Sequence, residues 1–317
     1  MNLPDTESPA AIFLMGPTAS GKSGLAIEIA RHFPVEVVSV DSAQVYRYMD
    51  IGSAKPDKSI QIEIPHHLIN LINPDESYSA AQFREDALSV MHGITARGRI
   101  PLLVGGTMLY FKVLQQGLAT LPAADEAVRK ELEQSAREQG WPAMHTVLSR
   151  LDPVIAERIK PNDSQRIQRA LEVCYLTGRP MSAVLKQQQS RDFPYRVFNI
   201  ALLPGDRSVL HARISQRFDK MLEIGLVDEV RMIRDQFQVT ADMPAMRCVG
   251  YRQVYMYLEN EISLAEMRER GVFATRQLAK RQLTWLRAMN ELHGFDCLAN
   301  QLAQQIIGFI QKQRIFA

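Results

Sequence analysis

The sequence predicts an α/β fold in which helices flank a parallel β-sheet and a helical domain is inserted into the chain. Short apolar runs begin at Ala11, Val35, Ile100 and Tyr195, and helical patterns lie between them, which is the alternation typical of a parallel sheet. From Gly117 onward the chain shows helical periodicity until the run at Tyr195. We therefore expect residues 1–116 and 194–317 to form the α/β core and residues 117–193 to form a helical insertion domain.

The first apolar run leads directly into a phosphate-binding pattern. Gly16 and Gly21, followed by Lys22 and Ser23, have the G-x-x-x-x-G-K-[ST] spacing of a P-loop, and a helical pattern follows. Backbone amides at a helix N-terminus attract anions, a lysine adds positive charge, and a serine hydroxyl can bind Mg²⁺ between two phosphates. The core is therefore predicted to be P-loop NTPase-like, with Ser23 as a Mg²⁺ ligand. The predicted polyphosphate site comprises Gly16, Pro17, Thr18, Ala19, Ser20, Gly21, Lys22 and Ser23.

Two further strands are predicted to end in polar residues close to this loop. The run Val35–Val40 is followed by Asp41, and the run Ile100–Val104 leads through two glycines to Thr107. Ligands of open α/β sheets bind beyond the carboxyl ends of the strands, so we expect Asp41 and Thr107 to face the same crevice as the P-loop. A turn or helix N-cap role remains open for both side chains.

Between these strands the chain contains a third short strand and a helix. The strand is predicted over Pro65–Ile72, where the adjacent His66 and His67 would point to opposite faces and so have structural roles. The helix is predicted over Ser79–Ala96, with Ser79 and Gln82 forming a capping box.

The C-terminal part is predicted to be a strand over Tyr195–Leu203 followed only by helices. The helix Asp206–Ile224 carries His211, Arg213 and Arg217, which suit either a basic lid or an ordinary solvated face.

A later helix has a pattern that favours RNA binding. Arg276, Lys280 and Arg287 are predicted to lie on one face, with Leu278 and Trp285 on the opposite, apolar face. A basic helix face suits contacts with a phosphate backbone, although a solvated face remains open.

The composition limits the classes of function. Apolar residues make up 46% of the 317 residues and charged residues 23%, as in ordinary globular proteins. The net charge of +2 indicates that any nucleic-acid surface is a local patch. The three cysteines, Cys174, Cys248 and Cys297, form neither a metal-binding spacing nor a disulfide framework, which favours the reducing cytoplasm. We see neither a signal peptide nor a membrane span and expect no membrane partner.

Six sequence blocks, taken in order, closely resemble the bacterial tRNA dimethylallyltransferases, the MiaA family. They are the P-loop Gly16–Ser23, Asp41–Gln44, Gly105–Thr107 with Tyr110, Gln165–Arg169, Arg247–Arg252 and Lys280–Arg287. The resemblance covers residues 11–287. It implies transfer of a dimethylallyl group from dimethylallyl diphosphate to N6 of the adenine on the 3′ side of the anticodon, in tRNAs that read codons beginning with uridine.

The resemblance also implies roles for individual residues. The P-loop with Mg²⁺ would bind the diphosphate, Asp41 would act as the base for the adenine amine, and Thr107 would lie close to the reacting centre. Arg129 matches a family arginine that contacts substrate. Contacts with tRNA are implied for Asp41, Ser42, Ala43, Gln44, Thr107, Arg129, Gln165, Arg166, Ile167, Gln168, Arg169, Arg247, Cys248, Val249, Gly250, Tyr251, Arg252, Lys280, Arg281, Gln282, Leu283, Thr284, Trp285, Leu286 and Arg287. The insertion would grip the anticodon stem-loop, and a monomer is expected because one channel can hold both substrates.

Three alternative functions remain open at this point. A P-loop small-molecule kinase would bind ATP and transfer its phosphate, but it has no need of long basic C-terminal helices. An isopentenyltransferase that acts on free adenine nucleotides has no need of the helical insertion. A non-catalytic RNA-binding switch would leave the convergence of Asp41 and Thr107 on the phosphate site unexplained.

Overall fold

The computed structural model describes residues 8–117, 121–186, 193–289, 291–313 and 315. Within these residues the strands are β1 (Ala10–Met15), β2 (Val35–Val40), β3 (His66–His67), β4 (Ile100–Gly105), β5 (Arg196–Leu203) and β6 (His293–Asp296). The helices are α1 (Lys22–His32), α2 (Lys58–Glu63), α3 (Ala80–Ala96), α4 (Met108–Gln116), α5 (Glu126–Gln139), α6 (Trp141–Leu151), α7 (Pro153–Ala156), α8 (Ser164–Thr177), α9 (Met181–Lys186), α10 (Arg207–Glu223), α11 (Leu226–Gln236), α12 (Tyr251–Leu258), α13 (Leu264–Arg287) and α14 (Leu302–Lys312).

The strands form one parallel sheet in the order β3-β2-β4-β1-β5-β6, which confirms the predicted α/β fold class. The central strand β1 pairs with β4 on one side and β5 on the other. Its side chains alternate between two cores: Phe13 and Met15 pack on the α3 face, and Ile12 and Leu14 pack on the face covered by α1 and α14. Burial on both faces explains why these strands are continuous apolar runs in the sequence.

Two predicted elements differ from the structure. The strand expected over Pro65–Ile72 is limited to His66–His67, because Leu68 and Asn70 have positive φ angles of 60° and 55° that interrupt extended pairing. The prediction that only helices follow Leu203 missed β6. This edge strand is mostly exposed and lacks an apolar pattern, so it forms through its backbone pairing with β5.

Helix α13 buries a different face from the one predicted. Ala279, Leu283 and Leu286 are buried, and Gln282 lies on the same face at the i, i+3, i+4 and i+7 spacing of a helix. The prediction of Leu278 and Trp285 as the buried apolar face was therefore wrong, since Trp285 is 39% exposed.

The chain divides into two compact units, one comprising Met1–Gln115 and Phe193–Ala317 and the other comprising Gln116–Asp192. The second unit contains α5 to α9 around its own core, which includes Leu132, Leu148 and Leu171. Residues 118–120 and 187–192, at the ends of the predicted insertion, lie outside the described residues. None of the described helices combines the length and the apolar composition needed to cross a membrane.

Candidate active site

The P-loop connects β1 to α1 with an unusual backbone. Gly21 immediately precedes the helix with φ 86°, and Ala19 has φ 62°. Gly21 is favoured because a residue without a Cβ adopts this left-handed conformation at no steric cost. Helix α1 then begins at Lys22, so amide groups of its first turn lack partners inside the helix and can bind an anion.

Lys22 lies within this loop, and a bound anion would change its protonation state. Its Nζ donates a hydrogen bond to the Pro17 carbonyl oxygen at 2.6 Å. The pKa of Lys22 is lowered to about 7, mainly by burial and secondly by the nearby Arg217, while the Asp41 carboxylate acts in the opposite direction. A bound diphosphate would favour the protonated form by supplying negative charge.

The ends of β2 and β4 are joined by Thr107. Its backbone N–H donates to the Val40 carbonyl oxygen at 3.2 Å, and its Oγ1 accepts from the Ser42 N–H at 3.1 Å. Asp41 Oδ1 accepts from the Ala43 N–H at 2.8 Å, so this carboxylate stabilises the turn in which it lies. Asp41 and Thr107 are therefore held in place by backbone groups.

A cavity of about 550 Å³ lies where these elements meet. All of its lining residues belong to the unit that contains the sheet. The polar lining includes Thr18, Lys22, Ser23, Asp41, Ser42, Gln44, Thr107, Arg217, Arg247, Arg281 and Gln282. The apolar lining includes Ala26, Ile27, Val37, Val104, Met108, Leu109, Leu278 and Trp285. One space thus combines cationic groups, a carboxylate and an apolar surface.

A buried carboxylate holds one wall of this cavity. Glu229 accepts from the backbone N–H groups of Asp50 at 2.9 Å, Ile51 at 2.7 Å and Gly52 at 3.2 Å. It also accepts from the Tyr251 hydroxyl at 2.6 Å. Burial and the neighbouring carboxylate raise the pKa of Tyr251 well above its ordinary value, so the phenol keeps the proton that it donates.

Arg217 on α10 is a cavity residue that the sequence grouped with His211 and Arg213 but did not assign to the site. It lines the cavity with Lys22 and Asp41, and burial lowers the pKa of its guanidinium. The signal available in the sequence was the series His211, Arg213 and Arg217. Of these three residues only Arg217 lines the cavity, and Arg213 donates to the Cys297 carbonyl oxygen at 3.4 Å.

The blocks predicted to contact tRNA contain buried and exposed members. The side chains of Ile167, Tyr251, Leu283 and Leu286 are packed into the cores, and the tRNA contacts expected for these residues stay predictions. Gln282 is also buried and bonds to the protein backbone. Exposed members are Gln165, Arg166, Arg247, Arg252, Lys280, Arg281, Thr284, Trp285 and Arg287.

Cys248 lies in one of these blocks and lines the cavity. Burial raises the pKa of its thiol to about 12. The group is therefore a neutral thiol near neutral pH, which makes it a weak nucleophile.

In the helical unit, Arg129 is held by a fully buried carboxylate. Glu172 accepts from Arg129 Nε at 2.8 Å, from Arg169 Nη1 at 2.5 Å and from the Asp125 N–H at 2.9 Å. Burial raises the pKa of Glu172, but the hydrogen bonds from the two arginines outweigh it and the net pKa lies below the ordinary value. These bonds fix the orientation of Arg129, and its contact with substrate stays a prediction.

Among the residues that the structure describes, no three His, Cys, Asp or Glu side chains form a group that could hold a metal ion. Ser23, the predicted Mg²⁺ ligand, nevertheless lines the cavity with its hydroxyl group. Hard oxygen ligands of this kind, few in number and completed by substrate phosphates and water, suit Mg²⁺.

Comparisons with known proteins agree along almost the whole chain. A family model described as IPP transferase matches residues 44–289, and one described as isopentenyl transferase matches residues 9–64. A tRNA dimethylallyltransferase from Nitrosomonas europaea is 77% identical over 317 residues, which is 100% of both chains. One from Nitrosospira multiformis is 62% identical and covers 94% of this chain and 92% of its own.

Solved structures give the same result. The full-length tRNA isopentenylpyrophosphate transferase of Bacillus halodurans has a TM-score of 0.70 and 36% identity, with 96% of each chain covered. A eukaryotic dimethylallyltransferase acting on tRNA has a TM-score of 0.81 and 28% identity, with 97% of this chain and 80% of that chain covered.

Proposed function

This chain belongs to the IPP transferase family, together with the tRNA dimethylallyltransferases that it matches along its length, and on that premise we propose its reaction. It transfers a dimethylallyl group from dimethylallyl diphosphate to N6 of the adenine on the 3′ side of the anticodon, in tRNAs that read codons beginning with uridine. The products are N6-dimethylallyladenosine in the tRNA and diphosphate.

The observation that carries this proposal is the single cavity shared by the P-loop, Asp41 and Thr107. A diphosphate ester needs cationic groups and free amides for its leaving group and an apolar surface for its carbon chain. An attacking amine needs a hydrogen-bond acceptor. The cavity supplies all three on one chain.

The diphosphate would bind to the P-loop amides, Lys22 and Arg217. Lys22 Nζ would leave the Pro17 carbonyl oxygen and donate to a phosphate oxygen, which returns the lysine to its charged form. Arg217, on the same cavity wall, would place a second positive charge against the leaving group. Both charges stabilise the negative charge that grows on the diphosphate as the C–O bond breaks.

We include Mg²⁺ in this proposal because the Ser23 hydroxyl of the P-loop lines the cavity and can serve as an oxygen ligand beside the substrate phosphates. When bound, Mg²⁺ would neutralise part of the diphosphate charge. The P-loop, Lys22 and Arg217 orient the substrate with their own contacts.

The adenine amine would be activated by Asp41. The N6 lone pair is delocalised into the ring, so the amine is a poor nucleophile that needs an acceptor for its proton. As the new C–N bond forms, the C–O bond electrons pass to the diphosphate and one N6 proton passes to the Asp41 carboxylate. The bonds between Ala43 and Asp41 and between Ser42 and Thr107 hold this acceptor beside the reacting atoms.

The tRNA would be held by the exposed basic residues of three blocks. Arg247, Arg252, Lys280, Arg281 and Arg287 are exposed on the unit that contains the cavity. Single-stranded loops let a protein read unstacked bases, and the target adenine must leave the stack for its N6 to reach the cavity. We propose that the helical unit, with Arg166 exposed, binds the anticodon stem-loop, and that the protein acts as a monomer in the cytoplasm, where tRNA is used.

Two labelled reactions test this function. One contains purified protein, Mg²⁺, isoprenoid-labelled dimethylallyl diphosphate and unmodified tRNA, and we expect label on N6 of the adenine beside the anticodon. The other contains γ-labelled ATP with tRNA and with small alcohols and nucleosides. Phosphate transfer without prenylation would replace the proposal with the kinase alternative.

Asp41→Asn tests the assignment of the base. The amide keeps the side-chain shape but cannot take the proton, so we expect kcat to fall by about a hundredfold or more while the Kd for tRNA changes little. Filter binding and single-turnover transfer measure the two quantities. A kcat equal to that of the parent would show that Asp41 is not the base.

A further inference from the structure

Gln282 has an unusual position in α13. The side chain is only 8% exposed, although Lys280, Arg281 and Thr284 around it are exposed. It lies on the buried face of the helix and also lines the cavity. A buried amide is costly unless its polar atoms are hydrogen-bonded, so its partners indicate its role.

Both polar atoms of the Gln282 side-chain amide are hydrogen-bonded to backbone groups of the candidate active site. Its Oε1 accepts from the Thr18 N–H of the P-loop at 2.8 Å. Its Nε2 donates to the Gly106 carbonyl oxygen at 2.9 Å. The first contact spans 264 residues of sequence and the second spans 176. One side chain thus ties the P-loop to the turn that carries Thr107.

Gly106 lies so close to the Gln282 amide that no side chain fits at this position. A Cβ on Gly106 would lie 2.3 Å from Gln282 Nε2 and 3.4 Å from the Gly16 carbonyl oxygen. The glycine is therefore required for the amide to approach the turn. The P-loop and the Gly106–Thr107 turn leave the paired ends of β1 and β4, and Gln282 bridges them beyond the last pair of strand residues.

We propose that Gln282 is a positioning residue that fixes the P-loop relative to the Gly106–Thr107 turn, so that the diphosphate and the attacking amine are held at reacting distance. This proposal rests on the function proposed above. Gln282 is part of a block in which tRNA contacts were expected, but its hydrogen bonds go inward to both halves of the catalytic cavity.

The expected effect follows from geometry. A side chain of similar size without hydrogen-bonding groups leaves the Thr18 N–H and the Gly106 carbonyl without their partner, so the two loops lose a shared anchor. A displacement of about 1 Å between reacting groups can reduce the rate by about a hundredfold. The exposed basic residues of α13 stay in place, so tRNA binding should change little.

Gln282→Met and Gln282→Glu test this role, with Gln277→Met on the same helix as the matched control. We expect Gln282→Met to lower kcat for prenyl transfer by about ten- to a hundredfold, with the Kd for the anticodon stem-loop within threefold of the parent. Gln277→Met should behave as the parent. A kcat for Gln282→Met within twofold of the parent would overturn the proposal.

Gln282→Glu adds a readout that a purely structural role would not move. The ionised carboxylate accepts from Thr18 but cannot donate to Gly106, whereas the protonated carboxyl can make both bonds. The ratio of its kcat to that of the parent should therefore rise at least fivefold as the pH falls from 8 towards 5.5. A ratio independent of pH would show that the donor bond to Gly106 has no part in catalysis.

Hydrogen exchange separates this proposal from the proposed function. Amides of Gly16–Ser23 should exchange faster in Gln282→Met than in the parent and in Gln277→Met, whatever the substrate. Absence of prenyl transfer by the parent, with faster exchange in Gln282→Met, would refute the proposed function alone. Unchanged exchange in Gln282→Met would refute the positioning role.

Discussion

Replacing Glu229 should destabilise the loop at residues 50–52, of which Gly52 lines the cavity. The Glu229 carboxylate accepts four hydrogen bonds, from the N–H groups of Asp50, Ile51 and Gly52 and from the Tyr251 hydroxyl, at 2.6 to 3.2 Å. Hydrogen bonds to a charged group contribute about 1.5 kcal/mol each at the low end, or about 6 kcal/mol in total. Part of this stabilisation is offset, because the alanine variant no longer buries a charge and water can reach the freed N–H groups. Glu229→Ala should therefore lower the free energy of unfolding by about 4 kcal/mol.

Two measurements test this magnitude. Urea unfolding followed by far-UV circular dichroism gives the free energy of unfolding, and hydrogen exchange of residues 49–55 reports on the loop itself. We expect the amides of Asp50, Ile51 and Gly52 to exchange at least tenfold faster in the variant. Asp228→Asn is the matched control, because Asp228 is on the same helix with its side chain 77% exposed, and it should resemble the parent.

The reasoning about Glu229 would be refuted by a variant whose free energy of unfolding lies within about 1 kcal/mol of the parent. Unchanged exchange at the three amides would refute it as well. Glu229→Gln separates charge from shape, since the amide retains one acceptor oxygen but not the charge, and its loss should be about half that of Glu229→Ala.

Two other substitutions test the site and the sheet. Thr107→Val keeps the volume but removes the acceptor for the Ser42 N–H, so kcat should fall about tenfold with the Kd for tRNA unchanged, and single-turnover kinetics that match the parent would contradict this. Glu36→Gln removes a buried carboxylate that accepts from Arg97 and His67 at 2.7 Å. The hydrogen bond from Arg97 lowers the pKa of Glu36, so its stabilisation is present above the ordinary range of a Glu carboxyl and is lost as the pH falls through the lowered pKa. Urea unfolding at pH 7 should therefore show a loss of about 2 kcal/mol that shrinks at acid pH, and a constant loss would contradict the linkage.

Much of the core could be predicted because its signals are local. The run from Ala11 to Met15 is buried on both faces of the sheet and reads as a continuous apolar segment. The capping box of Ser79 and Gln82 forms as expected. Edge strand β6 escaped prediction because its exposed residues carry no apolar pattern, and its stability comes from pairing with β5.

Individual site residues were harder to predict than strand ends. Asp41 and Thr107 could be placed in one crevice because parallel strands bring their carboxyl ends together. Arg217 could not, since nothing in α10 distinguishes it from Arg213 until the helix is packed against the sheet. The block Lys280–Arg287 was predicted as a whole to contact tRNA, but packing divides it into buried Gln282, Leu283 and Leu286 and exposed neighbours.

The sequence by itself determined the elements whose chemistry is carried by adjacent residues: the P-loop, the apolar strands, the polar residues at their ends and the helix caps. The tertiary structure alone decided which distant groups meet. Arg217 joins Lys22 at the cavity, Glu229 holds the loop at residues 50–52, and Gln282 bonds to Thr18 and Gly106. These contacts join residues 176 to 264 positions apart, and no local pattern specifies them because the packing of the intervening chain brings the partners together.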